Sequence, residues 1–223
     1  MKSSLSSNWS GLPRELATEL LSHATPRPLK AGQTLFEIGD EGDGCYRVEK
    51  GALKVSLTSP HAEERIIAIL AAGSLVGDLS MIDGKPRSAT VVALIPSELS
   101  FFDRQTFEEF AKKHPDLYRD LVNMLATRLR DVDEDIAALA FLPMKHRVAR
   151  ALLELAECLG EAGADGKVFL SRKITQSDLA ALAGVARENA NRILSEWERS
   201  GLVVKSAQTY EIDKARLVQQ TLL

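Results

Sequence analysis

The sequence predicts an α+β chain: an N-terminal β jelly roll, then a long helix, then a winged helix-turn-helix. Three observations carry this reading. Between residues 27 and 103, short β-rich runs alternate with glycine turns. From Pro115 to about Leu142, apolar residues recur in steps of four and three. Residues 174–201 hold two helical patterns joined at Gly184. The division that follows is 1–114, 115–142 and 143–223.

Composition narrows the function. The chain has 223 residues and a formal charge of −3, so bulk charge does not advertise a nucleic-acid partner. Residues 145–223 carry 12 Lys and Arg against 10 Asp and Glu, while residues 1–144 carry 16 against 21. Cys45 and Cys158 are far apart and His23, His61, His114 and His146 are scattered, which suits a reducing compartment and provides no metal-ligand spacing. No apolar run approaches a membrane span, and the N-terminus lacks a signal-peptide core. A cytoplasmic protein without membrane attachment is expected. No paired nucleophile and base and no Walker-type loop point to an enzyme.

The elements follow in order. PRELATELLSH (13–23) has the pattern of a short amphipathic helix with Pro13 in its first turn. TLFEI, CYRVEK, ALKVSL, RIIAIL, ATVVAL and LSFFD are strand-like, and the stretch has room for about eight strands. RQTFEEFAKKH (104–114) returns to helix. In the long helix Tyr118, Val122, Leu125, Leu129, Val132, Ile136 and Leu139 form a heptad seam. A seam sustained this long favours a two-stranded coiled coil, hence a homodimer, over one helix packed on its own domain. Pro143 breaks the helix, and residues 145–160 form the next one, ended by Gly160. GEAGADGK reads as a loop, VFL and SRK as two small paired strands, LVVKSAQTYEI as a hairpin wing, and DKARLVQQ as a last helical turn or two.

The helix-turn-helix is the most specific stretch. Thr175 stands at an N-cap with Asp178 three residues on. Leu179, Leu182 and Ala183 make an apolar stripe, and Gly184 suits a left-handed helix stop. In the second helix Ala190, Ile193, Leu194 and Trp197 share one face, with Arg187, Glu188, Asn191 and Arg192 on the other. Arg can donate twice to guanine, Glu can accept from cytosine, and Asn can pair with adenine. A plain helical hairpin with a solvated face is the blander alternative.

This order of parts resembles the CRP/FNR family of bacterial transcription regulators, over nearly the whole chain. LFEIGDEGDGCYRVEKGALKVSL looks like that family's first glycine-marked strands, and VGDLSMIDGKPRSATVVA like its phosphate-binding cassette. LAFLPMKHRVARALLELA looks like its hinge and first DNA-domain helix, and LAALAGVARENANRIL like its helix-turn-helix. The resemblance implies double-stranded DNA with a pseudo-palindromic operator as partner, RNA polymerase as a second partner, and a cyclic-nucleotide-like effector, cyclic AMP or cyclic GMP.

It also implies residues. In the cassette, Gly77 allows close backbone approach, Asp78 can accept from a ribose hydroxyl, Arg87 can grip a phosphate, and the backbone near Ser88 and Ala89 can form an anion nest. A surface Asp–Arg ion pair is the alternative. Asp78 stands where the cyclic-AMP-binding members usually carry Glu. Arg187, Glu188 and Arg192 match the family's base-reading positions, with Ala186 in place of its usual Ser, and Asn189 and Asn191 also depart from the pattern. Lys173, Thr175 and Lys205 are candidate phosphate contacts. Aligned through LAFL, Val132 and Asp133 replace the Thr–Ser pair that those members present to adenine. An acceptor-only carboxylate suits guanine better than adenine, or Asp133 is a solvated flank. Haem and iron–sulfur sensing lack ligands here. The alternative to an effector-gated dimer is the same dimer with a vestigial pocket.

Overall fold

The computed structural model describes residues 19, 22–163, 166–171, 174–206 and 209–221. Most of the helix expected over 13–23 lies outside them.

Eight strands precede the first long helix among the described residues: β1 (Thr25–Leu29), β2 (Thr34–Phe36), β3 (Gly44–Lys50), β4 (Ala52–Thr58), β5 (Glu64–Ala71), β6 (Leu75–Val76), β7 (Thr90–Ala93) and β8 (Ser97–Asp103). They form two four-stranded sheets, ordered β1-β8-β3-β6 and β2-β7-β4-β5. Apart from the neighbours β4 and β5, successive strands alternate between the two sheets, as in a jelly roll. β1 was not legible, because TPRPL carries two prolines. It is an edge strand, paired only with β8, where missing N–H donors cost least. β2 stops at Phe36, short of the TLFEI run, and its register with β7 shifts between Thr34 and Phe36.

The cassette opens with helix α1 (Asp78–Asp83) between Gly77 and Gly84, both left-handed at φ 80° and 74°. Then come α2 (Arg104–Lys113), capped by Asp103 onto the Thr106 N–H, and α3 (Asp116–Phe141). One face of α3 joins the core: Leu117, Leu121 and Met124 pack in a cluster with Cys45, Leu75, Met81, Phe102, Phe107 and Phe110.

Beyond Pro143 lie α4 (Met144–Leu159), β9 (Glu161–Ala162), β10 (Lys167–Ser171), α5 (Gln176–Ala183), α6 (Arg187–Arg199), β11 (Val203–Lys205), β12 (Thr209–Asp213) and α7 (Lys214–Gln219). α4 packs on α5, α6, α7 and β10. Two expectations need correction. Residues 168–170 of VFL and Ser171 of SRK lie in one strand, β10, whose partners are β9 and β12; the rest of SRK lies outside the described residues. The GEAGADGK segment is not wholly loop, since Glu161 and Ala162 pair with Phe169 and Val168. Gly160 does end α4, but at an extended φ of −80°. Glycine is needed there because a Cβ would come 2.3 Å from the Ala156 carbonyl oxygen. The wing is β11–β12, with Val203 opposite Ile212 and Lys205 opposite Tyr210.

By contacts the described chain forms two compact units. One contains residues up to Leu57 with Leu70–Val132, and the other Thr58–Ile69 with Asp133 onward.

Candidate functional site

The cassette is built around two buried charges that do not pair with each other. Gly77 turns the chain in the left-handed region, and a Cβ there would lie 2.4 Å from an Arg87 Nη. Glycine therefore lets the backbone and the guanidinium meet. Arg87 Nη1 donates to the Gly44 and Gly77 carbonyls at 2.8 and 2.9 Å, and Nη2 to Asp43 at 3.0 Å. The guanidinium stacks 4.3 Å from the Phe36 ring centroid, a cation–π contact. Its Nε is buried without a partner. The Arg87 side chain is 2% exposed, but that of Asp43 is 70% exposed. A buried cation is thus satisfied in part by a carboxylate mostly in water.

Asp78 opens α1, and its side chain is 3% exposed. Both its oxygens accept from Arg128 Nη1 at 2.8 and 2.9 Å, while Arg128 Nη2 donates to the Leu75 carbonyl. The alternative of a surface Asp78–Arg87 pair does not hold: each side chain is buried and bound elsewhere. Ser88 is exposed and Ala89 buried, in the bend before β7. Beside this cluster, burial and then the Asp78 charge push the Cys45 thiol up. Cys45 is a buried apolar-like residue, not a thiolate.

Arg128, Asp43 and Phe36 were missed. Arg128 had a signal. Leu117, Leu121, Met124 and Arg128 are spaced four, three and four on α3, so Arg128 continues the inward stripe. A charge in such a stripe calls for a buried partner.

The predicted seam is the other face. Tyr118, Val122, Leu129, Val132, Ile136 and Leu139 are exposed, with Leu129 at 63% and Val122 at 62%. Leu125 differs, being partly buried against the core cluster. Asp133, in the second unit, is exposed on α3.

In the second unit the local signals form as read. The Thr175 hydroxyl accepts from the Asp178 N–H at 3.0 Å, and the Thr175 N–H donates to the Asp178 carboxylate at 3.0 Å, a complete capping box. That hydroxyl is committed to the cap. Gly184 is left-handed at φ 62°. α6 buries Ala190, Ile193, Leu194 and Trp197 and exposes Arg187, Glu188 and Arg192. Ala186, its N-cap, makes no side-chain cap bond. Asn191 is half-buried, its Oδ1 unpartnered. Lys205 is exposed at the end of β11, next to Ser206, whose N–H donates to the Thr209 carbonyl. Lys173 lies outside the described residues. Among those described, no helix is long and apolar enough to cross a membrane.

Two family models match the chain: a cyclic nucleotide-binding domain over residues 26–114, and a Crp-like helix-turn-helix domain over residues 146–219. Together they define a DNA-binding transcription regulator with a cyclic nucleotide-binding domain. The cyclic AMP receptor protein of Thermus thermophilus is 32% identical over 210 residues, 94% of each chain. A CRP-like cAMP-activated global transcriptional regulator of Mycobacterium tuberculosis is 26% identical, again over 94% of each. The chain belongs to the CRP/FNR family. Among solved structures, the Thermus thermophilus catabolite activator protein matches at TM-score 0.55 and 31% identity, covering 96% of this chain and 98% of that one. The c-di-GMP responsive global regulator CLP of Xanthomonas campestris shares the fold at TM-score 0.74 and 22% identity, covering 90% and 99%. These relatives regulate transcription; they are not enzymes.

Proposed function

We propose that the chain works as a homodimer that binds a pseudo-palindromic operator and answers to a cyclic nucleotide in its β-domain. The functional parts are then 1–114 for sensing, 115–142 for dimerisation and 143–223 for DNA. The carrying observation is the mismatch at Arg87: a buried guanidinium held in part by a water-exposed carboxylate. A phosphate can take the place of Asp43 on Nη2 and offer more acceptor oxygens to a forked donor. A ribose hydroxyl can donate to Asp78, within the bend formed by Ser88 and Ala89. Asp78 is already tied to α3 through Arg128, so a ligand that loosens this pair acts directly on the helix bearing the seam. Arg187, Glu188 and Arg192 read bases in the major groove, and Lys173 and Lys205 position the phosphate backbone, while Thr175, its hydroxyl and N–H both used in the cap, fixes the start of α5 instead of meeting a phosphate. RNA polymerase is the onward partner, and the cytoplasm the place of action. Asp133 selects between guanine and adenine.

One observation favours a second reading, in which the pocket needs no nucleotide. Both Arg87 Nη groups are already satisfied by protein. Thermal unfolding with excess cyclic AMP or cyclic GMP separates the two, because a native-state ligand at about 100 times its Kd adds roughly 2.7 kcal/mol. A raised Tm that is lost in Arg87→Ala supports the gated dimer, and an unchanged Tm with either nucleotide supports the second reading. A larger rise with cyclic AMP, undiminished in Asp133→Ala, would refute the role given to Asp133.

A further inference from the structure

Strand β5 lies at the edge of its sheet, and its Glu64–Ile69 portion belongs to the unit that contains the helix-turn-helix. Two of its groups are held there. Arg65 Nη1 donates to the Ala181 carbonyl, in the last turn of α5, at 3.1 Å. The same guanidinium lies over the α5–α6 turn, where a Cβ on Gly184 would come 2.1 Å from Arg65 Nη1 and 2.8 Å from Leu139 Cδ2. Arg147 from α4 donates to the Gly184 carbonyl at 3.0 Å. Two guanidiniums therefore serve carbonyls that a helix C-terminus leaves unpaired, where its dipole favours cations. Four residues along β5, the Ile69 backbone faces the Glu154 carboxyl of α4; with Arg150 it favours the ionised form, against the stronger effects of burial and the Asp135 charge.

Carboxylates offset the crowded arginines. Asp135 of α3 pairs with Arg150 of α4 at 3.1 Å and also faces Arg65. Glu154 faces Arg65 from β5, Asp135 from α3, and Arg150 and Glu157 from its own helix. Glu157 is paired with Lys214 of α7 at 3.2 Å, and Glu134 acts on Asp135 from α3.

We propose that the β5 edge is a proton-dependent latch on the DNA-reading helix pair, closed by Arg65 on the α5–α6 turn and by Ile69 on Glu154. By sequence the latch strand runs through Ala72–Val76 into Gly77 and the cassette. The titrating group is Glu154. Burial, and then the Asp135 charge, push it from 4.5 up to about 7. The sign follows from linkage. The closed form keeps a proton that the open form, with an ordinary carboxyl, sheds. Closure is therefore favoured at the acid end, weakens as pH rises from about 4.5 to about 7, and levels off above. Between pH 5.5 and 8 the closing equilibrium falls about 30-fold if the open carboxyl is unperturbed. Burial raises Asp135 as well, with the same sign.

Hydrogen exchange read by mass spectrometry tests this on the full chain without DNA or nucleotide, so its outcome is independent of the effector and operator assignments. Peptides covering 64–71 and 182–187 are followed from pH 5.5 to 8, each normalised to the same peptide unfolded. Wild type should lose protection in both by up to about 30-fold across this range. Glu154→Gln, which mimics the protonated side chain, should hold protection flat. Arg65→Ala should lower protection of 182–187 at every pH, with 148–156 in α4 unchanged. Equal protection of 182–187 in wild type and Arg65→Ala overturns the latch. A pH dependence that persists in Glu154→Gln overturns the role of Glu154. If Arg65→Ala also exposes 148–156, the Glu154→Gln comparison decides alone.

Discussion

Replacing Arg128 by Met should unlock the cassette from α3. Met keeps much of the stem volume and removes only the guanidinium. Two bonds to Asp78 and one to the Leu75 carbonyl are lost together. The larger effect is on what remains, because the Asp78 side chain is 3% exposed and loses the cation that holds it. Breaking a buried pair from one side costs about 3–5 kcal/mol. Arg128 is itself 18% exposed, so water can reach the site and the lower end, about 3 kcal/mol, is expected. For a chain of this size that corresponds to a Tm lowered by roughly 6–12 °C. Urea unfolding of wild type, Arg128→Met, Asp78→Ala and the double variant gives the coupling directly. The double variant should be more stable than Arg128→Met by at least about 1.5 kcal/mol, since neither charge is then stranded. A loss below about 1 kcal/mol in Arg128→Met, with the double variant simply additive, would show that the two side chains do not form a buried joint.

Three further outcomes are expected. Leu129→Glu with Ile136→Glu places charges on exposed seam positions and should give monomers by light scattering with the fold intact by circular dichroism; an unchanged dimer mass would count against the seam. Thr175→Ala removes the capping box and should cost roughly 0.5–2 kcal/mol in urea unfolding, with no loss at all showing that the cap is idle. On an operator obtained by selection from random DNA, Arg187→Ala and Arg192→Ala should each lose roughly 1–3 kcal/mol of discrimination at one base pair per half-site, and Glu188→Ala should relax the choice at a cytosine. Uniform weakening over all sequences would instead make these residues phosphate contacts.

Much of this molecule was legible because its strongest signals are local. The capping box spans four residues, from Thr175 to Asp178, and Gly184 follows α5 at once in the left-handed region. Such features depend on neighbouring backbone and survive any tertiary context. The two faces of α3 are likewise written in spacing, one continuing to Arg128 and the other running from Tyr118 to Leu139. Within α6, the division into a buried Trp197 face and an exposed Arg187 face follows from the period of the helix.

What the sequence could not determine depends on residues far apart in the chain. Asp78 and Arg128 are separated by 50 positions, and Arg87 and Asp43 by 44. No periodicity states which carboxylate meets which guanidinium, because Coulomb attraction is non-directional and the choice is made by packing. Arg65 meets the α5–α6 turn across 116 positions. β1 escaped notice because only its place at a sheet edge makes two prolines tolerable. Glycine at 160 reads from sequence as the end of a helix; the reason it must be glycine, the closeness of the Ala156 carbonyl and of Val168 from β10, exists only once the strand has packed. Backbone choices were made locally, whereas the partners of the buried charges were selected by the assembled core, where leaving either charge unpaired costs several kcal/mol.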